Sequence, residues 1–187
     1  MKKIGSILLL SMLFVFISAC GGKTDEQAGQ AGILSQFTAT DLDGNEIDQS
    51  VLEGYDLTMV NVWATFCQPC LQEMPDLGEL ADTYADKGIQ FIGLVSDVLN
   101  ADGTLSDSQV ATAQEIVGTT GADYLHILPS EDLLGLLAQI SAVPTTFFVD
   151  SEGNQVGSAF SQALSREQWE ATLDAMLEEA QDEAAAQ

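Results

Sequence analysis

The residues in this 187-residue sequence best placed to do chemistry are two cysteines two residues apart, in Cys67-Gln68-Pro69-Cys70. An apolar run rich in β-branched residues ends just before them, and a helical pattern starts with them. Cys67 therefore falls at a helix N-terminus, where unpaired backbone N–H groups favour negative charge and make a thiol more easily a thiolate. Cys70, three residues on, shares a helical face with Cys67 and can attack a mixed disulfide formed there. The same spacing also suits half of a zinc site, which needs about four ligands. The lone histidine, His126, falls in a separate predicted strand, and no second cysteine pair follows. Glu73 is three residues beyond Cys70, close to one helical turn, so its carboxylate can reach the resolving sulfur and act there as a base. Gln68 and Pro69 bring no positive charge to Cys67, which points to a moderate or reducing potential.

Elements able to position this pair are legible on both sides of it. Residues 57–63 read as a central buried strand. From Cys67 to about Ala85, Leu71, Met74, Leu77, Leu80, Ala81 and Tyr84 recur at helical spacing. Pro75 falls inside that helix and is expected to kink it. Residues 89–96 give the next strand, and 97–108 a polar, turn-rich loop. A helix follows from Ser108, taken as its N-cap, to about Gly118, with Val110, Ala113 and Val117 inward. A short strand is expected over 124–128 and a helical turn over 130–140. Two strands, 146–149 and 155–160, flank the turn Asp150-Ser151-Glu152-Gly153-Asn154. Ser165 caps a last helix with Trp169, Leu173, Met176 and Leu177 on one stripe. Ahead of the core, Asp43-Gly44-Asn45 signals a hairpin within 36–47.

Trp63-Ala64-Thr65-Phe66-Cys67-Gln68-Pro69-Cys70, Glu73-Met74-Pro75 and the later Val143-Pro144-Thr145 together resemble the thioredoxin superfamily. Within it they look like the TlpA/ResA-like extracytoplasmic thiol–disulfide oxidoreductases, and the likeness runs from about Leu34 to Leu177. It implies an α/β thioredoxin fold, a central mixed β-sheet flanked by helices, with an N-terminal β-hairpin extension. It makes Cys67 the attacking thiol, Cys70 the resolving thiol, and Pro144 a cis-proline set against the disulfide. Trp63, Gln68, Pro69, Val143 and Pro144 become substrate-contacting residues, and no cofactor is expected beyond the redox-active disulfide Cys67–Cys70. One departure from thioredoxin matters: its buried acid in the strand before the pair is Asn61 here, which leaves Glu73 as the candidate for proton handling.

The N-terminus reads as an export signal. Lys2 and Lys3 precede an apolar run over 4–17, then Ser18-Ala19-Cys20. Ile17-Ser18-Ala19-Cys20 also resembles the bacterial lipobox, so Cys20 is expected to carry a lipid. That accounts for the odd cysteine among three. The expected parts are a lipoprotein signal peptide over 1–19, a lipidated flexible tether over 20–32, the thioredoxin-like domain over 33–178 and an acidic tail over 179–187. Loss of Lys2 and Lys3 takes the formal charge from −24 to −26, against nucleic acid as a partner and against binding to anionic membrane other than through the lipid.

These expectations describe a monomer held outside the cytoplasm on the bacterial cell membrane. It would reduce disulfides of exported proteins. By resemblance these are of the apocytochrome c or methionine sulfoxide reductase type, and a CcdA/DsbD-like membrane thiol donor recharges the pair. A Sco-like copper carrier shares the fold, two cysteines and a distal histidine, but its cysteines are spaced by three residues. A peroxiredoxin pattern fails at Ala64 and Val60, with Thr65 off register. A non-catalytic binding lipoprotein on the same fold is the remaining alternative.

Overall fold

The computed structural model describes residues 32–185. The expected signal peptide, Cys20 and all of the expected tether except Gly32 lie outside the described residues. Gly32 already belongs to the domain, its carbonyl accepting from Ser35 N–H at 3.1 Å.

Seven strands and four helices make up the domain: β1 (Thr38–Thr40), β2 (Glu46–Asp48), β3 (Leu57–Trp63), α1 (Gln68–Ala85), β4 (Ile89–Val95), α2 (Asp107–Thr120), β5 (Leu125–Ile127), α3 (Leu134–Leu137), β6 (Thr145–Val149), β7 (Gln155–Phe160) and α4 (Arg166–Ala185). The first two strands pair antiparallel as the expected hairpin. The other five form one sheet in the order β5-β4-β3-β6-β7. β3 runs parallel to β4 and antiparallel to β6, which in turn runs antiparallel to β7. A mixed sheet of this order with helices on its faces and a hairpin ahead of it is the thioredoxin fold anticipated from the motifs.

β3 is central because all seven of its residues are buried, so neither face can be turned to water. Its side chains alternate. Val60 and Val62 join Ile92, Leu94, Phe147 and Val149 under the N-terminal segment, against Leu34, Phe37 and Leu52. Leu57 and Met59 point the other way, to Leu77, Leu80 and Tyr84 of α1 and Trp169 and Leu173 of α4. Full burial of a Leu or Met side chain stabilises by roughly 1.5–3 kcal/mol, so these two layers carry most of the packing energy. A third cluster closes the C-terminal end of β3 and contains both cysteines.

Three connections use one turn design. Asp41–Asn45, Asn100–Thr104 and Asp150–Asn154 each bond the first N–H to the fifth carbonyl, and the fourth N–H to the first carbonyl. That fourth residue is glycine in each, at φ of +84°, +84° and +79°, a backbone state a side chain would strain. The middle copy folds the 97–106 loop into a small hairpin held by a bridge between Leu99 and Leu105.

Three boundaries differ from expectation. Ser106, not Ser108, caps α2, since its Oγ accepts from Gln109 N–H; the helix then runs on to Thr120 and ends at Gly121 in the left-handed conformation. The expected acidic tail at 179–187 is helical as far as Ala185, because Ala180 still packs on the core and extends the apolar stripe by one more turn. The helical turn expected over 130–140 divides into a short 3-10 turn at Glu131–Leu133 and α3. α1 runs through Pro75 to Ala85 without a break. Ser165 caps α4 as expected: its N–H donates to Gln168 Oε1 at 2.9 Å, while its Oγ accepts from Gln168 N–H at 3.4 Å.

Candidate active site

Cys67 and Cys70 form a disulfide, with an S–S distance of 2.02 Å. Cys67 is the N-cap of α1, in extended conformation, and its Sγ accepts from the Cys70 N–H at 3.3 Å. Cys67 is 5 % exposed and Cys70 0 %, so an incoming reagent meets only Cys67. Helix geometry thus supplies both the N–H groups that favour sulfur charge and the difference in access that separates the two roles.

Around the pair lie Trp63, Ala64, Met74, Val95 and Val98, with Val143 partly buried against them. The Val143–Pro144 peptide bond is cis, and Pro144 itself is buried. Gln68 and Pro69 are exposed on the first turn of α1. Trp63 is different from expectation: it is 0 % exposed and cannot touch a substrate. It lies on the same pleat of β3 as Leu57, Met59 and Asn61, in a strand buried on both faces, and its Nε1–H donates to His126 Nδ1 at 3.1 Å. The exposed aromatic is Phe66, 73 % exposed and directly before Cys67. Sequence reading missed it because an apolar residue in an apolar run looks like core. The one available signal was its place in the loop between the strand end and the helix cap.

Glu73 is buried, 3 % exposed, three residues beyond Cys70. Its Oε1 accepts from Asn61 Nδ2 at 3.2 Å, and its Oε2 from Leu164 N–H at 3.1 Å and Trp169 Nε1–H at 3.2 Å. Asn61 reaches it because it shares the α1-facing pleat with Leu57 and Met59. Burial pushes the Glu73 carboxyl up to about 7, with the three hydrogen bonds pulling the other way. Its hydrogen bonds run to these three donors and not to sulfur, with the acid three residues along α1 from Cys70. Leu164 and Trp169 lie about 90 residues away in sequence, beyond any local pattern.

Two further groups frame the site. The Asp97 carboxylate accepts from Thr65 N–H at 3.0 and 3.1 Å and from Thr65 Oγ–H at 2.6 Å. This contact fixes the loop that carries Phe66 and Cys67. His126 is buried behind Trp63, stacked on Tyr124 with ring centroids 4.5 Å apart. Its Nδ1 accepts from Trp63, so the proton sits on Nε2 and is donated to the Ala122 carbonyl at 2.8 Å. Burial lowers its pKa to about 4. With both nitrogens engaged and the ring neutral, His126 is a structural residue and not a free metal ligand.

Residues 33–155 match the AhpC/TSA family. The thiol–disulfide oxidoreductase ResA of Bacillus anthracis is 28 % identical over 176 residues, covering 89 % of this chain and 90 % of the relative. Among solved structures, a thiol:disulfide interchange protein of the thioredoxin family from Chlorobium tepidum superposes with a TM-score of 0.62 at 23 % identity, over 79 % of this chain and 97 % of that one. A secreted Mycobacterium tuberculosis disulfide oxidoreductase gives 0.58 at 22 % identity, over 75 % and 96 %. The shared fold, the coverage of the ResA relative and a C-x-x-C pair at a helix N-terminus agree: the chain belongs to the AhpC/TSA family, as a ResA-like thiol–disulfide oxidoreductase.

Proposed function

We propose that this protein is a lipid-anchored, extracytoplasmic disulfide reductase in which Cys67 attacks and Cys70 resolves. The observation that carries the assignment of roles is the difference in access: Cys67 reaches the surface and Cys70 does not. The Cys67 thiolate attacks one sulfur of a substrate disulfide, forming a mixed disulfide and releasing the other substrate sulfur as a thiolate. Cys70, losing its proton, attacks Cys67 Sγ and forms the Cys67–Cys70 disulfide; the second substrate sulfur leaves as a thiolate and takes up a proton. Two electrons pass from the pair to the substrate. Glu73 takes the Cys70 proton, its pKa near neutrality suiting it to accept and return one.

Phe66, Gln68, Pro69 and Val143, with the cis-Pro144 backbone, form the uncharged rim against which the substrate chain lies. A reducing direction is supported by the lack of any cation near Cys67. Among the described residues the basic side chains are Lys87 and Arg166, paired with Asp174 and with Glu79 and Glu170. The lipid sits on Cys20 and attaches the protein to the membrane. The substrates are disulfides of exported proteins, of the apocytochrome c or methionine sulfoxide reductase type, and a membrane thiol donor of the CcdA/DsbD kind restores the dithiol. No described helix is long and apolar enough to cross a membrane, and the lipid supplies the attachment.

Cys70→Ser tests the reading. It is expected to accumulate a mixed disulfide on Cys67 with a disulfide-bonded peptide and with native partners in the envelope, whereas Cys67→Ser traps nothing. Adducts forming equally well in Cys67→Ser would reverse the roles, and none in either would remove the reductase.

A further inference from the structure

Thr65 is held more firmly than a loop residue requires. The Asp97 carboxylate accepts both its N–H and its hydroxyl. Gln109 of α2 adds Nε2–H bonds to Thr65 Oγ1 and to the Asp97 carbonyl, each at 3.4 Å. Next to Asp97, Ser96 donates from N–H and Oγ–H to the Trp63 carbonyl at 2.8 and 2.9 Å. On its other side, Val98 is fully buried in the cluster that holds both cysteines. The chain from β3 to the α1 cap is therefore stapled to the end of β4, and at the staple stands a carboxylate bonded to Thr65, two residues before Cys67.

We infer that the Asp97 carboxylate, anchored on Thr65 near the attacking cysteine, sets the redox equilibrium of the pair toward the disulfide, making the dithiol a stronger reductant. This rests on the reductase reading above. Two residues of chain put the carboxylate within roughly a Debye length, ~10 Å, of Cys67 Sγ. An anion at that range disfavours a neighbouring thiolate, against the helix N-terminus that favours it. A less stable thiolate means a less stable reduced form, and hence a pair that gives up its two electrons more readily. Other titratable groups near Cys67 do not reproduce this. Glu73 of α1 is buried beyond Cys70 and bonded to Asn61, Leu164 and Trp169. His126 of β5 is neutral behind Trp63, and Tyr124 is held in its protonated form by burial. Asp107 is exposed on the first turn of α2.

The experiment equilibrates purified protein with glutathione buffers and reads the dithiol fraction, alongside the pH profile of Cys67 alkylation. Asp97→Asn is expected to shift the equilibrium three- to tenfold toward the dithiol, tenfold being about 30 mV for two electrons, and to move the alkylation midpoint to lower pH. Gln109→Lys, which sets a cation beside an intact Asp97 on a surface helix, is expected to shift both readouts the same way, and it decides the matter if Asp97→Asn does not fold. Thr65→Val keeps the charge and should stay within about twofold of wild type in the equilibrium. No shift, or a shift toward the disulfide, in the charge variants overturns the inference; so does a Thr65→Val shift equal to that of Asp97→Asn. A wild-type dithiol that glutathione disulfide leaves unoxidised would instead strike the reductase reading.

Discussion

At the scale of single residues, the chemistry depends on two acids treated differently by their surroundings. Glu73 is taken out of water, and desolvation outweighs three hydrogen bonds to leave its pKa at about 7. Asp97 is half-buried and accepts from the Thr65 N–H and hydroxyl, anchoring the loop ahead of Cys67. An acid that titrates near neutrality can accept the Cys70 proton in one half-cycle and return it in the next. Glu73→Gln keeps the size and removes that capacity. We expect it to slow resolution of the mixed disulfide by about tenfold or more, while attack by Cys67 changes little, and to erase a pH inflection near 7. Stopped-flow resolution rates across pH check this; wild-type and variant profiles that superimpose would leave Glu73 a structural acid.

At the scale of elements, the sheet holds the site because β4 and β5 leave room for one imidazole. Gly93 of β4 pairs with His126 of β5. A Cβ at Gly93 would lie 2.0 Å from His126 Nδ1, the atom that accepts from Trp63. The glycine is thus required by the close approach of the ring, and the ring in turn fixes Trp63 beneath the cysteines. Gly93→Ala must displace His126 and strand the Trp63 N–H. An overpacked core with a lost buried hydrogen bond should cost about 2–4 kcal/mol, read as a lower denaturant midpoint in urea unfolding. A loss under 1 kcal/mol would show that the strands part easily and that His126 does not fix Trp63.

At the scale of the whole molecule, two buried groups make opposite contributions to stability against pH. Glu73 has a folded pKa of about 7, above its ordinary 4.5. Between those values the folded state binds the extra proton, so its contribution is full below about 4.5 and is lost as pH rises through 7. His126 has a folded pKa of about 4, below its ordinary 6.5. Here the unfolded state binds the proton, so stability is lost as pH falls from 6.5 toward 4. The two slopes nearly cancel between about 4.5 and 6.5 in the wild type. Removing one exposes the other: the stability of Glu73→Gln relative to wild type should rise by about 1.4 kcal/mol per pH unit between pH 4.5 and 7. Denaturant melts at half-unit pH steps read this difference directly, and a flat difference would mean that Glu73 is ionised throughout.

The sequence by itself determined what depends on neighbours a few residues apart. It placed the buried strand 57–63, the cysteine pair at a helix start, and the glycine turns of both hairpins. Each follows from a period of 2.0 or 3.6, or from the backbone needs of one position. Only the tertiary structure decided which of two aromatics near Cys67 is core: Trp63 is sealed and Phe66 exposed, because the last residue of β3 still pairs in the sheet while the loop beyond it does not. It also decided the partners of Glu73, which come from β3, α4 and the segment leading into α4, and the grip of Asp97 on Thr65, 32 residues away. Such contacts arise where the sheet order and the docking of α4 bring distant segments together. A carboxylate's charge state then follows from the desolvation and donors it meets there, and a local pattern carries neither.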